Sequence, residues 1–293
     1  MSLWTERLAL PDLLPLALVN AYWFGGLAVF AVYAALRGTP RSPRLDTLSR
    51  SAVVPRFILE YGLWQLRFHV RVLRRLGFTP DLITLLSLLF AVVGAVLIAS
   101  GRMGLGGWSM FLAFICDAYD GMLARELGLS SARGEFLDSV IDRYADAVIG
   151  LGFLYYYRDD PVGAAACGAY LVGSSVMGYA KAKGELSGVD PNVGIMQRHE
   201  RAVYLGGSTV LAPFAAALLE PRAAHPRYHL VLVALLLVAF FTNVTAVWRT
   251  VYVMRRMPRP SAPAPSADPV GAGAVAVAVD GPAAPQPKEA LRG

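Results

Sequence analysis

Runs of about twenty apolar residues recur along the chain, and this pattern limits the possible folds more than any other feature of the sequence. The chain has 293 residues, of which 56% are hydrophobic and only 16% are charged. Soluble domains carry about 25% charged residues, so a soluble core does not account for this composition. The pattern predicts an all-α integral membrane protein that crosses the bilayer several times. The predicted spans are residues 13–36, 82–100, 105–124, 136–157, 161–180, 202–219 and 229–253.

A different pattern marks residues 55–76, which form a predicted helix with two unlike sides. Apolar and aromatic residues recur at helical spacing on one side, while charged residues occupy the other. The apolar side carries Phe57, Tyr61, Trp64, Phe68 and Val72, and the charged side carries Arg56, Glu60, Arg67, Arg71 and Arg74. This pattern predicts an interfacial amphipathic helix that lies on the membrane. A short packed helix is the alternative.

The two ends of the chain differ from its middle. Residues 1–50 combine the first predicted span with a basic linker, and residues 51–256 form the predicted main domain. Residues 257–293 are rich in Pro, Ala and Gly without a helical period, which predicts a disordered tail. The two cysteines, Cys116 and Cys167, lie in apolar segments, so we interpret them as buried small hydrophobic residues and not as a disulfide.

The distribution of basic residues predicts how the chain is oriented. Residues 37–75 hold nine arginines, and the segments 125–133, 181–201 and 255–259 are also basic, whereas the alternate loops are poorer. Cytoplasmic loops carry an excess of Lys and Arg. The pattern therefore predicts an N-terminus outside and a C-terminus in the cytoplasm, in the inner cell membrane. The net charge of +6 is then explained by these loops, which lie beside anionic lipid, and not by binding to nucleic acid.

Four carboxylates interrupt the apolar segments in the middle of the chain: Asp117, Asp120, Asp138 and Asp142. Charged residues inside a membrane are costly and indicate a functional site. Asp117 and Asp120 are three positions apart, and Asp138 and Asp142 are four apart, so each pair shares a helical face. A short connection at residues 125–135 predicts that the two spans are antiparallel neighbours. The four carboxylates are therefore expected to converge toward the cytoplasmic side.

Convergent carboxylates repel one another unless a cation compensates their charge. All-oxygen ligands favour Mg²⁺ or Mn²⁺ over zinc, and divalent ions held in this way suit phosphoryl chemistry. Gly121 and Gly134 permit the close approach of a ligand, and Arg125 offers donors to a phosphate or nucleotide. A structural ion-pair network is the alternative, but few cations lie near these acids in the sequence. Asp146, one turn after Asp142, is expected to support the site or the fold and not to contact the metal.

The spacing of these residues resembles the signature of a known family. The chain reads Asp-x-x-Asp-Gly-x-x-Ala-Arg from Asp117 to Arg125 and, after eight residues, Gly-x-x-x-Asp-x-x-x-Asp from Gly134 to Asp142. Every fixed position is that of the CDP-alcohol phosphotransferase family, which the chain resembles over about residues 56–256. The resemblance implies a six-helix core preceded by an interfacial amphipathic helix, with one extra N-terminal transmembrane helix outside it.

The resemblance also implies a reaction, in which the phosphatidyl group of CDP-diacylglycerol passes to the hydroxyl of a polar alcohol and CMP leaves. It implies that Asp117, Asp120 and Asp138 hold Mg²⁺ or Mn²⁺, and that Asp142 is the general base with a further metal contact. The nucleotide site implied in this way consists of Asp117, Asp120, Gly121, Ala124, Arg125, Gly134 and Thr84.

The upstream element of the family, Thr-Pro-Asn-x-x-Thr, is similar to the segment Thr79-Pro80-Asp81-Leu-Ile-Thr84. Asp81 departs from the usual Asn, so a neutral amide contact to the nucleotide is not expected at this position.

A group of cations farther along the chain bears on the acceptor alcohol. The segment from Lys181 to Arg201 is similar to the corresponding region of bacterial phosphatidylinositol phosphate synthases, although Lys183 stands where Arg is usual. The resemblance implies that Lys181, Arg198 and Arg201 bind the phosphate of an inositol phosphate. Arg249 is a further candidate, and a snorkelling anchor is its alternative role. Positive-inside bias alone would also place cations here.

A cluster of cations predicts an anionic acceptor. Inositol phosphate ranks first, glycerol 3-phosphate second, as in a phosphatidylglycerophosphate synthase, and an unphosphorylated polyol third. His199 is interpreted as an ordinary loop histidine. Runs of small residues at 150–152 and 164–168 suit either a homodimer interface or internal helix packing. Buried acids also occur in cation transporters, but residues 160–256 hold no second copy of the acid pattern.

Overall fold

The computed structural model describes residues 10–38, 56–191, 193–221, 223 and 225–257, and its regular structure is helical throughout these residues. The predicted all-α fold is confirmed for this part of the chain. Residues 39–55 and 258–293, which include most of the predicted linker and tail, lie outside the described residues. The helices are α1 (Leu10–Arg37), α2 (Arg56–Arg75), α3 (Pro80–Ala99), α4 (Met103–Leu127), α5 (Ala132–Tyr156), α6 (Pro161–Leu186), α7 (Arg198–Leu219) and α8 (His229–Arg256).

Among the described helices, five are long and apolar enough to cross a membrane: α1 from Ala17 onward, α3, α6, α7 and α8. Helices α4 and α5 have 25 residues each, and they carry the predicted acid cluster, which lowers their hydropathy. Both are longer than α3, which has 20 residues, and both pack on it. The prediction of a multi-pass membrane protein is confirmed.

Local sequence signals set the helix ends near the predicted site. Thr79 caps α3 by accepting a hydrogen bond from the Leu82 backbone, and Pro80 occupies the first turn, where its missing N–H costs nothing. Helix α4 ends at Gly128, whose φ of 67° lies in the left-handed region that glycine adopts readily. Ser131 then caps α5 by accepting from the Gly134 N–H at 3.2 Å. These caps produce the short turn between the two acid-bearing helices.

Helix α3 lies between the acid-bearing helices along most of their length. It packs against both α4 and α5, which contact each other much less. The expectation that α4 and α5 are close neighbours therefore needs correction, since only the turn at 128–131 and the ends beside it bring them together. Small residues allow the close packing: a Cβ added at Gly152 would come within 2.7 Å of the Ala95 backbone. These contacts place the two glycines of the run at 150–152 inside the fold, whereas Leu151 between them is exposed.

Aromatic side chains join α1 to α2. Phe30 of α1 is fully buried, and its ring lies 5.3–5.8 Å from the rings of Phe57, Tyr61 and Trp64. The Tyr61 hydroxyl also donates to the Trp23 carbonyl at 2.6 Å. Val70, farther along α2, is fully buried in a cluster with residues of α3 and α4. Helix α2 thus packs against both α1 and the core.

The connections between the core helices fall at two ends of the bundle. The turn 128–131 and the described residues 187–191 and 193–197 lie at one end, which also carries the predicted acids; we call it the site end. The turns around residues 101 and 158, and the described residues 220–221 and 225–228, lie at the other end, which we call the distal end. Contacts across the distal end confirm this grouping, because the Tyr228 hydroxyl donates to the Gly101 carbonyl at 3.0 Å.

Candidate active site

Three aspartates converge at the site end. Asp117 and Asp120 lie in the last three turns of α4, and Asp138 lies in the second turn of α5. Each contributes one carboxylate oxygen, and these three oxygens lie within 4.8 Å of one another. Asp120 is 5% exposed, and Oδ1 of Asp138 is buried without a hydrogen-bond partner. The arrangement concentrates negative charge at a site where Asp120 is buried and Asp117 and Asp138 are half-buried.

Arg198 bridges the two acid-bearing helices. Its Nη1 lies 2.7 Å from Asp117 Oδ2 on α4, and its Nη2 lies 2.7 Å from Asp142 Oδ1 on α5. Asp142 is thus close to the three-aspartate group but engaged by a guanidinium, and the group of three oxygens does not include it. The sequence placed Arg198 in the acceptor site, whereas the structure places it against two of the predicted acids.

Asp146 and Arg201 form a second ion pair one turn farther along α5. Arg201 Nη2 lies 3.0 Å from Asp146 Oδ2, and Arg201 Nη1 donates to the Ser174 hydroxyl at 2.6 Å. Arg201 is only 5% exposed, and its Nε has no hydrogen-bond partner. Ser174 was not among the residues singled out in the sequence. A hydroxyl inside an apolar helix is a weak signal, because serine often bonds its own backbone there.

Thr84 reaches the acid cluster from α3. Its Oγ1 donates to Asp120 Oδ2 at 2.5 Å. The family resemblance implied a nucleotide contact for Thr84, and its hydroxyl in the structure lies on a carboxylate of the cluster.

The remaining residues of the predicted nucleotide site surround the turn between α4 and α5. The Arg125 guanidinium lies over Gly121, where an added Cβ would come within 3.5 Å of Arg125 Nη1. Ala124 is half-buried beside them, and Arg125 is exposed. The Gly134 N–H is used in capping α5, so this glycine is fixed at the start of that helix. These four residues flank the acid cluster on the side of the turn.

The other two predicted acceptor residues lie apart from the acids. Lys181 is exposed and pairs with Glu185 at 3.8 Å, one turn along α6. Arg249 is 4% exposed and donates to the carbonyls of Met177 and Val193, both at 3.2 Å, while its Nε has no hydrogen-bond partner. Buried guanidinium groups held mainly by carbonyls keep their positive charge, so they favour a nearby anion.

The start of α7 explains how Arg198 and Arg201 come to face the acids. Gln197 and Glu200 form a capping box, in which the Gln197 N–H donates to Glu200 Oε2 at 2.7 Å. Residues Ala202–Gly206 then form a π-helical turn before α7 continues as an α-helix. Such widened turns are frequent at functional sites. Nothing in the local sequence predicted this one.

The chemistry of the donor set can be tested against a metal ion. Three carboxylate oxygens within 4.8 Å of one another suit a hard cation, since Mg²⁺ and Mn²⁺ prefer oxygen ligands. The cluster contains no thiol or imidazole, which are the ligands that favour zinc. The residues therefore fit a divalent metal of the Mg²⁺ or Mn²⁺ type.

The fold and the site together define a class of protein: a multi-pass helical membrane protein with a partly buried carboxylate cluster suited to a divalent metal. The sequence profile of CDP-alcohol phosphatidyltransferases matches residues 78–252. The chain therefore belongs to the CDP-alcohol phosphatidyltransferase family, and the family resemblance noted in the sequence is confirmed.

Curated relatives with similar sequences are phosphatidylinositol phosphate synthases. The chain is 34% identical over 140 residues to that of Mycobacterium tuberculosis (strain ATCC 25618 / H37Rv), an alignment that covers 46% of this chain and 64% of the relative. It is 36% identical over 187 residues to that of Streptomyces avermitilis, covering 62% of this chain and 74% of the relative. The alignment with the first relative thus spans less than two thirds of its length.

Solved structures of the M. tuberculosis synthase share the fold. Its complex with CDP-DAG has a TM-score of 0.55 and 30% identity, and the match covers 64% of this chain and 92% of that one. Its complex with manganese and citrate has a TM-score of 0.56 and 29% identity, with coverage of 64% and 88%.

Proposed function

We propose that the protein transfers the phosphatidyl group of CDP-diacylglycerol to the hydroxyl of a polar alcohol and releases CMP, as a step of phospholipid synthesis. The observation that carries this proposal is the convergence of Asp117, Asp120 and Asp138, with Asp142 held beside them by Arg198. Membership of the family supports the reaction class. The complex of the M. tuberculosis synthase with CDP-DAG supports the choice of donor.

In this proposal Asp117, Asp120 and Asp138 hold Mg²⁺ or Mn²⁺, and Asp142 adds a further contact. When bound, a divalent ion neutralises pyrophosphate oxygens and stabilises the attacking and leaving oxygens of the transfer. The manganese complex of the M. tuberculosis synthase supports a divalent ion in this family.

The chemical step then rests on Asp142. The acceptor oxygen forms a bond to the lipid-side phosphorus, the bond from that phosphorus to the CMP oxygen breaks, and Asp142 takes the proton of the acceptor hydroxyl. The Nη2 atom of Arg198 lies 2.7 Å from Asp142 Oδ1 and holds this carboxylate beside the proposed metal ligands. Gly121, Ala124, Arg125, Gly134 and Thr84 complete the proposed nucleotide site, with Arg125 offering a planar set of donors to a phosphate.

We propose inositol phosphate as the acceptor, bound through its phosphate by Lys181, Arg198, Arg201 and Arg249. The buried guanidiniums of Arg201 and Arg249, each with an unpartnered Nε, support an anionic acceptor. The names of the curated relatives support inositol phosphate in particular. Glycerol 3-phosphate carries the same anionic group and is the second candidate, as in a phosphatidylglycerophosphate synthase.

The proposed location is the inner cell membrane with the site end facing the cytoplasm. The basic residues Lys181, Lys183, Arg255 and Arg256 lie at the site end, as the positive-inside rule requires of cytoplasmic ends. We also propose a homodimer, in which the small residues at 164–168 would permit close packing between two copies of the chain.

A CMP-release panel tests the proposed function. The full chain in lipid nanodiscs receives CDP-diacylglycerol and Mg²⁺ with inositol phosphate, glycerol 3-phosphate, inositol or serine in turn. We expect CMP release with inositol phosphate above all, and none from an Asp138→Asn variant. Release with glycerol 3-phosphate alone would move the protein to the second candidate. No release with any alcohol, together with cation flux in liposomes, would favour the transporter alternative.

A further inference from the structure

A hydrogen bond between two buried side chains connects α3 to the acid cluster. Thr84 Oγ1 lies 2.5 Å from Asp120 Oδ2, across 36 positions of sequence. Both residues are 5% exposed, so water does not compete for either group. A hydrogen bond to a buried carboxylate is stronger than one between neutral groups, and its loss leaves the carboxylate oxygen unpaired.

The geometry fixes the direction in which the hydroxyl donates. Thr84 Oγ1 has one proton and two acceptors within reach, the Pro80 carbonyl at 3.1 Å and Asp120 Oδ2 at 2.5 Å. The Pro80 carbonyl lies four residues earlier in α3, where the helix itself offers it the backbone N–H of Thr84. The carboxylate is both nearer and charged, so the proton points to Asp120.

The Thr84 side chain sits in a rigid setting. Threonine has few side-chain rotamers in a helix, and the Ser87 hydroxyl donates to the Thr84 carbonyl at 2.6 Å. Ile83, its neighbour on α3, is 1% exposed and packs in a cluster with Cys116 and Leu123 of α4. This packing fixes α3 against the helix that carries Asp120.

Resting on the proposed function, in which Asp120 is a metal ligand, we propose that Thr84 is a positioning residue for the metal site. Its hydroxyl holds one oxygen of Asp120 and so fixes the rotation of the carboxylate before a cation binds. Partners of this kind, behind the ligands themselves, commonly change metal affinity by about 10- to 100-fold. This role comes in addition to the place of Thr84 in the proposed nucleotide site.

The test measures Mn²⁺ binding directly, without nucleotide or acceptor, by the electron paramagnetic resonance signal of free Mn²⁺ over the full chain in nanodiscs. Thr84→Val removes the hydroxyl and keeps the shape of the side chain. We expect the Kd for Mn²⁺ to rise about tenfold or more, and Thr84→Ser, which keeps the hydroxyl, to restore most of the affinity. If the valine variant does not fold, Thr84→Ala compared with Thr84→Ser gives the same contrast.

Thr242 offers a matched control. It is fully buried in α8, and its Oγ1 has no hydrogen-bond partner among the described residues. Thr242→Val is therefore the same chemical change in a comparable setting away from the acids, and it should leave the Kd for Mn²⁺ unchanged.

Two other results overturn the proposal in distinguishable ways. An unchanged Kd for Mn²⁺ in Thr84→Val, together with a raised KM for CDP-diacylglycerol, would leave Thr84 a role in the nucleotide site alone and none in positioning Asp120. A wild-type chain that binds no Mn²⁺, or whose affinity does not change on Asp138→Asn, would refute the metal site itself and with it this part of the proposed function.

Discussion

The two ends of the helix bundle both hold carboxylates beside arginines, but they use them differently. At the distal end Arg227 faces Asp160 one to one, with Nε and Nη2 at 2.7 and 2.9 Å from its two oxygens. At the site end, one carboxylate oxygen from each of Asp117, Asp120 and Asp138 lies within 4.8 Å of the other two. A single arginine, Arg198, contacts both Asp117 and Asp142.

At the distal end, the carboxylates of Asp160 and Glu220 are paired with neighbouring residues. Glu220, for example, accepts the backbone N–H groups of Arg227 and His229 and also lies 2.9 Å from His229 Nδ1. At the site end, the negative charges of the aspartate cluster outnumber the positive charges of the arginines that contact it. Arg201 at this end also has a buried Nε without a hydrogen-bond partner. Matched charges tie loops together, whereas an excess of one sign at a buried site suits a ligand of the other sign. The comparison therefore separates the structural end from the proposed catalytic end.

The largest effect is expected from Asp142→Asn. As the proposed general base, Asp142 should contribute about 10²- to 10⁴-fold to kcat, so the variant should release CMP that much more slowly. Binding of CDP-diacylglycerol, measured separately by titration, should stay close to that of the wild type. An equal loss of donor binding would make Asp142 chiefly a ligand and not a base.

Arg201→Ala should raise the KM for a phosphorylated acceptor. A hydrogen bond to a charged group contributes about 1.5–3 kcal/mol, which corresponds to roughly 10- to 100-fold in KM. The KM for CDP-diacylglycerol should change much less. Arg227→Ala removes an arginine at the distal end and is the control, with both KM values unchanged. An unchanged acceptor KM in Arg201→Ala would remove this residue from the acceptor site.

Glu220→Gln should lower stability without affecting catalysis. An amide keeps one acceptor oxygen but replaces the other with a donor, so an N–H group at the distal end loses its partner, at a cost of about 1–3 kcal/mol. We expect a lower Tm in nanodiscs and an unchanged rate of CMP release. Asp159→Asn is the control, since the Asp159 side chain is 86% exposed and its removal should leave the Tm nearly constant. A slower release of CMP in Glu220→Gln would contradict the division between the two ends.

The smallest effect concerns pH. The Arg227 guanidinium holds the pKa of Asp160 below its ordinary value. The stability from this pairing is therefore present above the pKa of the unfolded chain, about 4, and is lost as the pH falls through the lower folded pKa. We expect the difference in Tm between wild type and Asp160→Asn to shrink as the pH falls from about 5 to about 2. A constant difference over this range would show that the pairing is not electrostatic.

Local signals predicted the helices well but not their order in space. Residues such as Pro80, Gly128 and Ser131 set helix ends through caps that act over one turn, and the predicted spans match the observed helices closely. The insertion of α3 between α4 and α5 depends on packing between distant segments, such as Gly152 against Ala95. Hydropathy does not encode such contacts.

The site, like the fold, was predictable where it depends on local spacing and not where it depends on contacts between distant segments. The spacing of Asp117, Asp120 and Asp138 predicted that these carboxylates would meet, because helical periodicity fixes the face on which each lies. The bridge formed by Arg198 and the contact of Thr84 with Asp120 were not predictable. Each joins segments dozens of residues apart, and a sequence read alone has no measure of their distance. The roles of these residues stay predictions until the variants are measured.

The π-helical turn at Ala202–Gly206 has a consequence for the tolerance of this chain to insertions and deletions. A π-helical turn contains one residue more than an α-helical turn, and one extra residue rotates the helix faces by about 100°. The side chains before and after this turn therefore face directions that a regular α-helix would not give them. The first half aims Arg198 and Arg201 at the acids, while the second half aims Val210 at α4. Deleting one residue here would restore a regular helix and rotate one half against the other. Length, and not only composition, is thus constrained at this turn.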